Sequence, residues 1–220
     1  MTAGPVNEPF DLLDWKRRIS ALYAEVRATP DPRAAWIRWR EVRHELFHSH
    51  PQSPVPHGQR QAFDGPAYFD YEPTARVLAE IEEASPERYD IATSGEPGGS
   101  YAFTRFARAA FEFADEETAL ELYWLEGYGG GLFVPFRDAT AGRETYGAGR
   151  YVLDTVKGAD LGVTEDGRLI LDFNFAYNPS CAYDPTWVCP LAPPANRLDV
   201  AIRAGERAPE TKEARPEASL

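Results

Sequence analysis

The residues that decide the fold read GRLILDFNFAYNPSCAYDPTWVCPLAPPANR and run from Gly167 to Arg197. Under the two-residue period of a β-strand, one face of their first part is apolar and carries Leu169, Leu171, Phe173 and Phe175. The opposite face carries a carboxylate, Asp172, and a carboxamide, Asn174. The alternation predicts a strand that packs on a core and leads into a proline-stiffened loop.

The polar face of this strand has two interpretations. In an open sheet, Asp172 and Asn174 would meet water, which is the ordinary environment of a polar strand face. In a closed barrel they would line the interior, where a carboxylate must be paired or neutralised and can anchor a ligand. A solvated face and a pocket wall are therefore both open at this point.

The N-terminal part of the chain has a helical pattern. Residues 1–9 predict a loose N terminus, and residues 10–50 predict a helical hairpin with apolar residues at helical spacing. Asp31 is the expected N-cap of the second helix and Pro32 its first residue. The hairpin carries several aromatic residues, so we expect it to pack on the structure that follows.

The pattern then changes to a period of two, which predicts an antiparallel β domain over residues 51–203. Residues 204–220 are charged and poor in apolar side chains, and they predict a disordered tail. Strands are expected at 76–82, 89–93, 101–113, 118–125, 132–136, 150–156, 169–176 and 198–202. The predicted fold class is α+β, mainly β: an antiparallel meander, closed as a barrel or stacked as a sandwich, with an N-terminal helical hairpin.

Composition limits the partners and the compartment. The net charge is −12, from 23 basic and 35 acidic residues, and such a surface repels nucleic acid and anionic lipid. No apolar run approaches the roughly 20 residues that span a bilayer. The N terminus has no basic segment followed by an apolar one, so we expect no secretory signal and a cytoplasmic location.

The segment His44-Glu45-Leu46-Phe47-His48 matches the H-E-x-x-H pattern of zinc peptidases. Histidines four residues apart share a helix face, and the glutamate between them could activate a zinc-bound water. Pro51 ends the helix soon afterwards, and no downstream helix offers a third ligand. Zinc on His44 and His48 is kept as an alternative.

Two further groups of residues are candidates for a site. Asp138 and Arg150 flank a turn and either pair with each other or leave Arg150 free to bind an anionic ligand. Cys181 and Cys189 enclose seven residues and are interpreted as a pair that clamps this loop, bonded or not. A catalytic thiol would need a nearby base such as His50 or His57.

Several segments together resemble a bacterial family of domains of unknown function with no assigned activity. They are LF, HP and SP at 46–54, YFDY at 68–71, FRDAT and ETYGAGRY at 136–151, DFNFAYNPSCAY at 172–183, CPLAPPANRL at 189–198 and AGE at 204–206. The resemblance covers roughly residues 36–206. It includes both cysteines and His50 but not His44, which implies a shared role for the Cys181–Cys189 loop and weakens the zinc alternative.

The favoured hypothesis is a small-molecule-binding or enzymatic pocket inside the β domain. Its ligand would be a polar or anionic small molecule. Asp172, Asn174 and Arg150 would anchor the ligand, with Asp138 beside Arg150. The pocket lining would be Tyr146, Tyr177 and Asn178. For a reaction, Asp172 would be the general base and Arg150 would stabilise charge.

Two alternatives come from other classes of protein. One is a non-catalytic interaction module in which the polar residues form a structural hydrogen-bond network. The other is the zinc-dependent hydrolase on the HELFH segment. No cofactor is predicted, although small barrels also bind flavins, so flavin and zinc both stay open.

Overall fold

The computed structural model describes residues 8–94 and 99–209. Within them the chain forms two helices and then a six-stranded antiparallel sheet, whose strand order is β5-β4-β3-β2-β1-β6. The bounds are α1 Glu8–Ala28, α2 Pro32–Ser49, β1 Arg76–Ala92, β2 Ser100–Phe113, β3 Glu116–Leu125, β4 Gly131–Phe136, β5 Arg150–Asp154 and β6 Leu169–Asp172. The sheet curls into a nearly closed barrel, so the predicted α+β, mainly β class is confirmed.

A short bridge closes the two edges of the sheet. Tyr151 of β5 donates its backbone N–H to the carbonyl of Tyr177 at 2.9 Å, and the N–H of Tyr177 returns the bond at 3.0 Å. Tyr177 lies just beyond β6, which has only four residues. The segment after β6 therefore completes the barrel where β6 itself is too short to do so.

The helical hairpin packs against this barrel. The side chain of Asp31 accepts a hydrogen bond from the N–H of Arg33 at 3.0 Å, which caps α2 as the sequence predicts. Trp39 of α2 donates its indole N–H to the hydroxyl of Tyr23 in α1 at 3.2 Å, and its ring meets Phe175 edge-on. One buried tryptophan thus joins both helices to the segment that follows β6.

The expected long strand over residues 169–176 is wrong, because β6 ends at Asp172 and a 3₁₀ turn, Phe173–Phe175, follows. The cause is Asp172 itself, whose carboxylate accepts the N–H of Asn174 at 3.0 Å. This local bond bends the backbone out of the strand. The result is that apolar and polar residues of this stretch are buried alike, without alternation.

Other strand boundaries also differ from the expectation. The strands expected at 76–82 and 89–93 are one strand, β1, with a register irregularity between Glu83 and Glu87. The loop between β2 and β3 is a tight turn on Ala114 and Asp115, both with positive φ. Residues 198–202 form no strand and are tied to the barrel by a few bonds, such as Leu198 N–H to the Arg137 carbonyl at 2.7 Å.

Parts of both chain ends that were expected to be loose or disordered are ordered in the structure. Residues 8 and 9, expected in a loose N terminus, belong to α1, and residues 1–7 lie outside the described part. Ala204, Gly205 and Glu206, expected in a disordered tail, are all buried. Gly205 has φ +76°, and a Cβ there would lie 2.5 Å from the carbonyl oxygen of Ala176. Residues 210–220 of that tail lie outside the described part.

Candidate functional site

A cavity of about 300 Å³ lies between the helical hairpin and the barrel. Its walls come from α1, α2, and the loops that follow β5 and β6. The apolar lining includes Trp15, Ile19, Phe47, Val156, Trp187 and Val188. The polar lining includes Lys16, Tyr23, Arg43, Lys157, Tyr177 and Asn178. The cavity therefore combines an aromatic and aliphatic wall with a few converging polar groups, which is typical of small-molecule sites.

Asn178, one residue of this wall, has a buried amide group with one atom unpartnered. Its side chain is buried, and its Nδ2 donates to the carbonyl of Arg207 at 2.7 Å. That bond fixes the orientation of the amide, because only the nitrogen can donate. The other amide atom, Oδ1, is buried and has no hydrogen-bond partner among the described residues. A buried acceptor without a donor is rare in folded proteins.

Arg43 faces the same cavity, but its charge is neutralised. Its Nε donates to Glu206 Oε1 at 3.1 Å, and its Nη2 contacts the same oxygen. Glu206 Oε2 accepts from the Asn178 N–H at 2.7 Å and from the Tyr183 hydroxyl at 2.8 Å. Burial alone would lower the pKa of Arg43, but the Glu206 carboxylate beside it raises that pKa above its ordinary value. The Arg43 guanidinium therefore stays charged, and its hydrogen bonds are directed at Glu206.

Two lysines supply the remaining positive charge of the cavity. The chain contains three lysines, and both Lys16 and Lys157 line this cavity. Lys157 Nζ lies 3.9 Å from a carboxylate oxygen of Asp154. Burial raises the pKa of Asp154 above its ordinary value, and Lys157 opposes that shift. Lys16 forms no ion pair within 4.0 Å among the described residues, although its charge also opposes the raised pKa of Asp154.

Asp172 and Asn174 lie elsewhere and bind each other. Asn174 donates its Nδ2 to Asp172 Oδ1 at 2.8 Å and to the carbonyl of Glu72 at 2.8 Å, and its Oδ1 accepts the Glu72 N–H. Asp172 also lines a smaller cavity of about 110 Å³ beside Arg76. Burial raises the pKa of Asp172, and the bonds from Asn174 oppose the shift. These two residues hold the segment before β1 on the barrel.

Arg150 and Asp138 pair with each other, as one of the two sequence interpretations had it. Arg150 Nη2 lies 3.3 Å from Asp138 Oδ1 and donates to the carbonyl of Ile202 at 3.0 Å, and Nη1 donates to the carbonyl of Glu206 at 3.1 Å. Asp138 Oδ2 accepts the Ile202 N–H at 2.8 Å. Arg150 thus fastens the C-terminal segment to the barrel. Asp172 and Arg150 belong to separate networks, and the structure does not bring them together as an acid–base pair.

Cys181 and Cys189 are both buried and free. The Tyr146 hydroxyl lies 3.8 Å from Cys181 Sγ, and Cys189 lines the main cavity. A hydrogen bond from the Cys189 thiol, helped by Ser94 and Tyr146 and opposed by burial, lowers the pKa of Cys181 to about 6. The same bond raises the pKa of Cys189. His50 is bonded instead to Asp14, at 3.2 Å.

The zinc alternative finds no support in the described ranges. His44 and His48 are exposed on α2, and their rings stack with centroids 6.2 Å apart. Nowhere between residues 8 and 94 or 99 and 209 do three His, Cys, Asp or Glu side chains gather as a metal-binding group. The histidine pair therefore has the sequence spacing of a zinc motif without a third ligand.

Of the seven predicted ligand-binding residues, Tyr177 and Asn178 line the main cavity. Sequence reasoning missed Lys16, Lys157 and the Arg43–Glu206 pair. Lysine is rare in this chain, which has 20 arginines, and this rarity could have drawn attention to Lys16 and Lys157. Arg43 and Glu206 are 163 positions apart, and Glu206 lay in the expected disordered tail, so no local sequence pattern marked the pair.

No helix among the described residues has the length and apolar character to cross a membrane.

Comparisons with known proteins give a family and a fold. No protein with a curated description matches the chain. The solution NMR structure of an uncharacterized protein from gene locus rrnAC0354 of Haloarcula marismortui is 34% identical, with a TM-score of 0.56. The match covers 90% of this chain and 96% of that one. The family model "Protein of unknown function (DUF1684)" matches residues 61–207, and the chain belongs to this family.

Proposed function

We propose that the cavity between the helical hairpin and the barrel binds a small organic anion with an apolar body and an N–H or O–H donor. The observation that carries the proposal is the buried Asn178 Oδ1, which has no partner among the described residues. An unsatisfied buried acceptor costs about 1–3 kcal/mol. A donor on a bound ligand would remove that cost.

The charges around the cavity favour an anion. The chain as a whole carries −12, yet two of its three lysines line this cavity. Arg43 is balanced by Glu206 and Lys157 is partly balanced by Asp154, whereas Lys16 has no ion pair among the described residues. A ligand carboxylate would therefore meet an ammonium group that forms no direct ion pair with a protein carboxylate among the described residues, although Asp154 lies near enough to feel its charge.

The walls favour an apolar body on the ligand. Trp15, Phe47 and Trp187 line the cavity with aromatic surface, and Ile19 and Val156 add aliphatic surface. Burial of apolar surface is worth roughly 25 cal/mol per Å², so the walls supply affinity. Asn178 and the lysines would supply orientation. The proposal is for binding, and it includes no reaction.

Thermal unfolding tests the proposal with N-acetylphenylalanine and N-acetyltryptophan, each beside its uncharged carboxamide. Both acids carry an aromatic body, an amide N–H and a carboxylate. We expect each acid to raise the Tm of the protein more than its carboxamide does. The Lys16→Gln, Lys157→Gln double variant should bind the acids about tenfold more weakly, since each exposed ion pair is worth up to about 1 kcal/mol.

The matched control is Arg88→Gln, which removes a positive charge from an exposed position on β1. This variant should bind the acids as the wild type does. The proposal is overturned if neither acid raises the Tm, or if the double lysine variant binds them as tightly as Arg88→Gln does.

A further inference from the structure

Two residues of opposite charge lie opposite each other where β1 pairs with β6. Arg76, the first residue of β1, is the register partner of Asp172, the last residue of β6. Directly opposed residues of an antiparallel pair project their side chains from the same face of the sheet. Arg76 Nε nevertheless lies 4.0 Å from Asp172 Oδ2, which is too far for a hydrogen bond. The two charges therefore approach each other without direct contact.

The two carboxylate oxygens of Asp172 have different surroundings. Oδ1 accepts the backbone N–H of Asn174 at 3.0 Å and the side-chain Nδ2 of Asn174 at 2.8 Å. Oδ2 accepts no hydrogen bond from the residues that the structure describes, although Asp172 is only 2% exposed. A buried carboxylate oxygen without a donor is costly. A ligand N–H at Oδ2 would therefore lower the free energy of the folded protein.

The Arg76 guanidinium is short of acceptors in the same way. Its side chain donates no hydrogen bond within residues 8–94 and 99–209, and it is 35% exposed. Its N–H groups form a planar fork that matches a carboxylate. Arg27, another cation beside the cavity, is already paired, with Nη1 3.4 Å from a carboxylate oxygen of Asp160. Asp172 and Arg76 thus provide one unmatched acceptor and one unmatched donor.

The cavity that both residues line is small and mainly apolar elsewhere. Its volume is about 110 Å³, and it lies against the turn between α1 and α2. The apolar lining includes Val26, Pro30, Ala35, Leu161 and Ile170. A cavity of roughly 150 Å³ holds benzene, so this one suits a ligand of about five or six non-hydrogen atoms.

We propose that this smaller cavity binds a zwitterionic amino acid of the size of glycine or alanine. The ammonium group of the ligand donates to Asp172 Oδ2, and its carboxylate accepts from the Arg76 guanidinium. The ligand thereby satisfies two opposite charges that the protein leaves 4.0 Å apart. The apolar walls receive its Cα and a methyl group. A ligand with only one of the two charges would satisfy one residue and leave the other unmatched.

An NMR titration of the full-length chain with glycine and with alanine, at neutral pH, tests the proposal. The signals to follow are the backbone amides of Thr29, Ala35 and Ile170, which line the smaller cavity. We expect saturable shifts of these signals with both amino acids. The Asn178 side-chain amide and the Trp15 indole belong to the main cavity and should not shift. The outcome is therefore independent of the proposed anion binding.

Four related compounds separate recognition of the zwitterion from weaker alternatives. Glycinamide keeps the ammonium group and acetate keeps the carboxylate, so each should bind at least about tenfold more weakly than glycine. Betaine keeps both charges but has no N–H donor for Asp172, and it should not bind. Leucine keeps both charged groups but carries a side chain too large for the cavity, so it should not bind either.

Asp172→Asn is the sharpest variant, because its amide oxygen can still accept both bonds from Asn174 while an NH₂ group replaces Oδ2. It should weaken glycine binding at least about tenfold. Arg76→Gln removes the other charge at a partly exposed position and should weaken binding about fivefold. The matched control, Arg88→Gln, changes an exposed position of the same strand and should bind glycine as the wild type does.

Each variant is first checked for a cooperative thermal transition, and Arg76→Gln carries the test if Asp172→Asn does not fold. The assignment fails if neither glycine nor alanine shifts the lining amides, or if acetate or glycinamide binds as tightly as glycine. It also fails if the folded variants of Asp172 and Arg76 bind glycine as tightly as Arg88→Gln does. Leucine binding as tight as that of glycine would place the site outside the cavity and overturn the proposal.

Discussion

Arg43 of α2 and Glu206, which stand 163 residues apart, form a buried ion pair that joins the helical hairpin to the C-terminal segment. The same carboxylate accepts the N–H of Asn178 and the hydroxyl of Tyr183. Glu206, a residue of the expected disordered tail, therefore holds Arg43 and Asn178 in place in one wall of the cavity. Removal of one partner leaves the other charge buried and uncompensated.

The first prediction concerns the strength of this contact. Glu206→Gln should lower the free energy of unfolding by about 3–5 kcal/mol, since it leaves the Arg43 charge unpaired in the interior. Urea denaturation measures the change. The control is Glu144→Gln, which breaks a solvent-accessible pair with Arg203 and should lower the free energy of unfolding far less, because water screens exposed charges. Equal losses in the two variants would contradict the structural role of Glu206.

The second prediction tests whether Arg150 has a structural role or binds a ligand. Its guanidinium donates to carbonyls of Ile202, Ala204 and Glu206. Arg150→Lys keeps the charge but cannot supply these bonds together, so the free energy of unfolding should fall by about 1–3 kcal/mol. If the variant unfolds like the wild type but loses binding of the aromatic acids, Arg150 is a ligand anchor and the structural assignment is wrong.

The third prediction concerns pH. Burial raises the pKa of Asp154 above its ordinary value of 3.8, so the folded chain binds this proton more tightly than the unfolded chain does. The resulting stabilisation is complete below the unfolded pKa and is lost as pH rises through the folded pKa. Asp154→Asn removes the titratable carboxyl group and keeps an oxygen that can accept the backbone N–H of Lys157.

Urea denaturation at several pH values measures this effect. The free energy of unfolding of Asp154→Asn, relative to the wild type, should increase as the pH rises from about 4 through the raised pKa of Asp154, by about 1.4 kcal/mol per unit of pKa shift. A difference that is constant or decreases over this range would show that Asp154 is ionised in the fold without a penalty.

The fourth prediction tests the close approach at Gly205. Its φ is +76°, and a methyl group on its Cα would lie 2.5 and 2.6 Å from the backbone oxygens of Ala176 and Phe173, so there is no room for a side chain. Gly205→Ala should therefore cost at least about 1–3 kcal/mol of unfolding free energy. Gly58→Ala is the control, because nothing lies within 4 Å of its Cβ position and its φ is not positive. If both variants melt alike, residues 204–206 are not packed as described.

Much of the fold was predictable because its signals are local. Asp31 and Pro32 mark the start of α2, and the period-two patterns mark β2, β3 and β4 within about two residues of their observed ends. The failure at residues 173–176 has a specific cause. Alternation shows only which side chains are apolar and carries no information on where a strand ends. Here the Asp172 carboxylate accepts the backbone N–H of Asn174, and this bond turns the chain out of the strand.

The candidate site was less predictable because its residues come from distant parts of the chain. Lys16, Lys157 and Asn178 belong to α1, to the loop after β5 and to the loop after β6, and their proximity depends on how the hairpin packs on the barrel. The sequence predicts Asp172 and Arg150 as ligand anchors because they are charged residues near a barrel interior. Both are buried, but Asp172 binds Asn174, and Arg150 binds Asp138 and backbone carbonyls of residues 202–206.

The most direct test of anion binding in the cavity is an NMR titration with N-acetyltryptophan that follows the indole N–H signals of the protein. Trp15 and Trp187 line the cavity, whereas Trp124 is half-exposed on β3 and serves as an internal control. Binding in the cavity should cause saturable shifts of the Trp15 and Trp187 signals and of the Asn178 side-chain amide, with Trp124 unchanged. Unchanged cavity signals, or shifts of Trp124 as large as theirs, would contradict it.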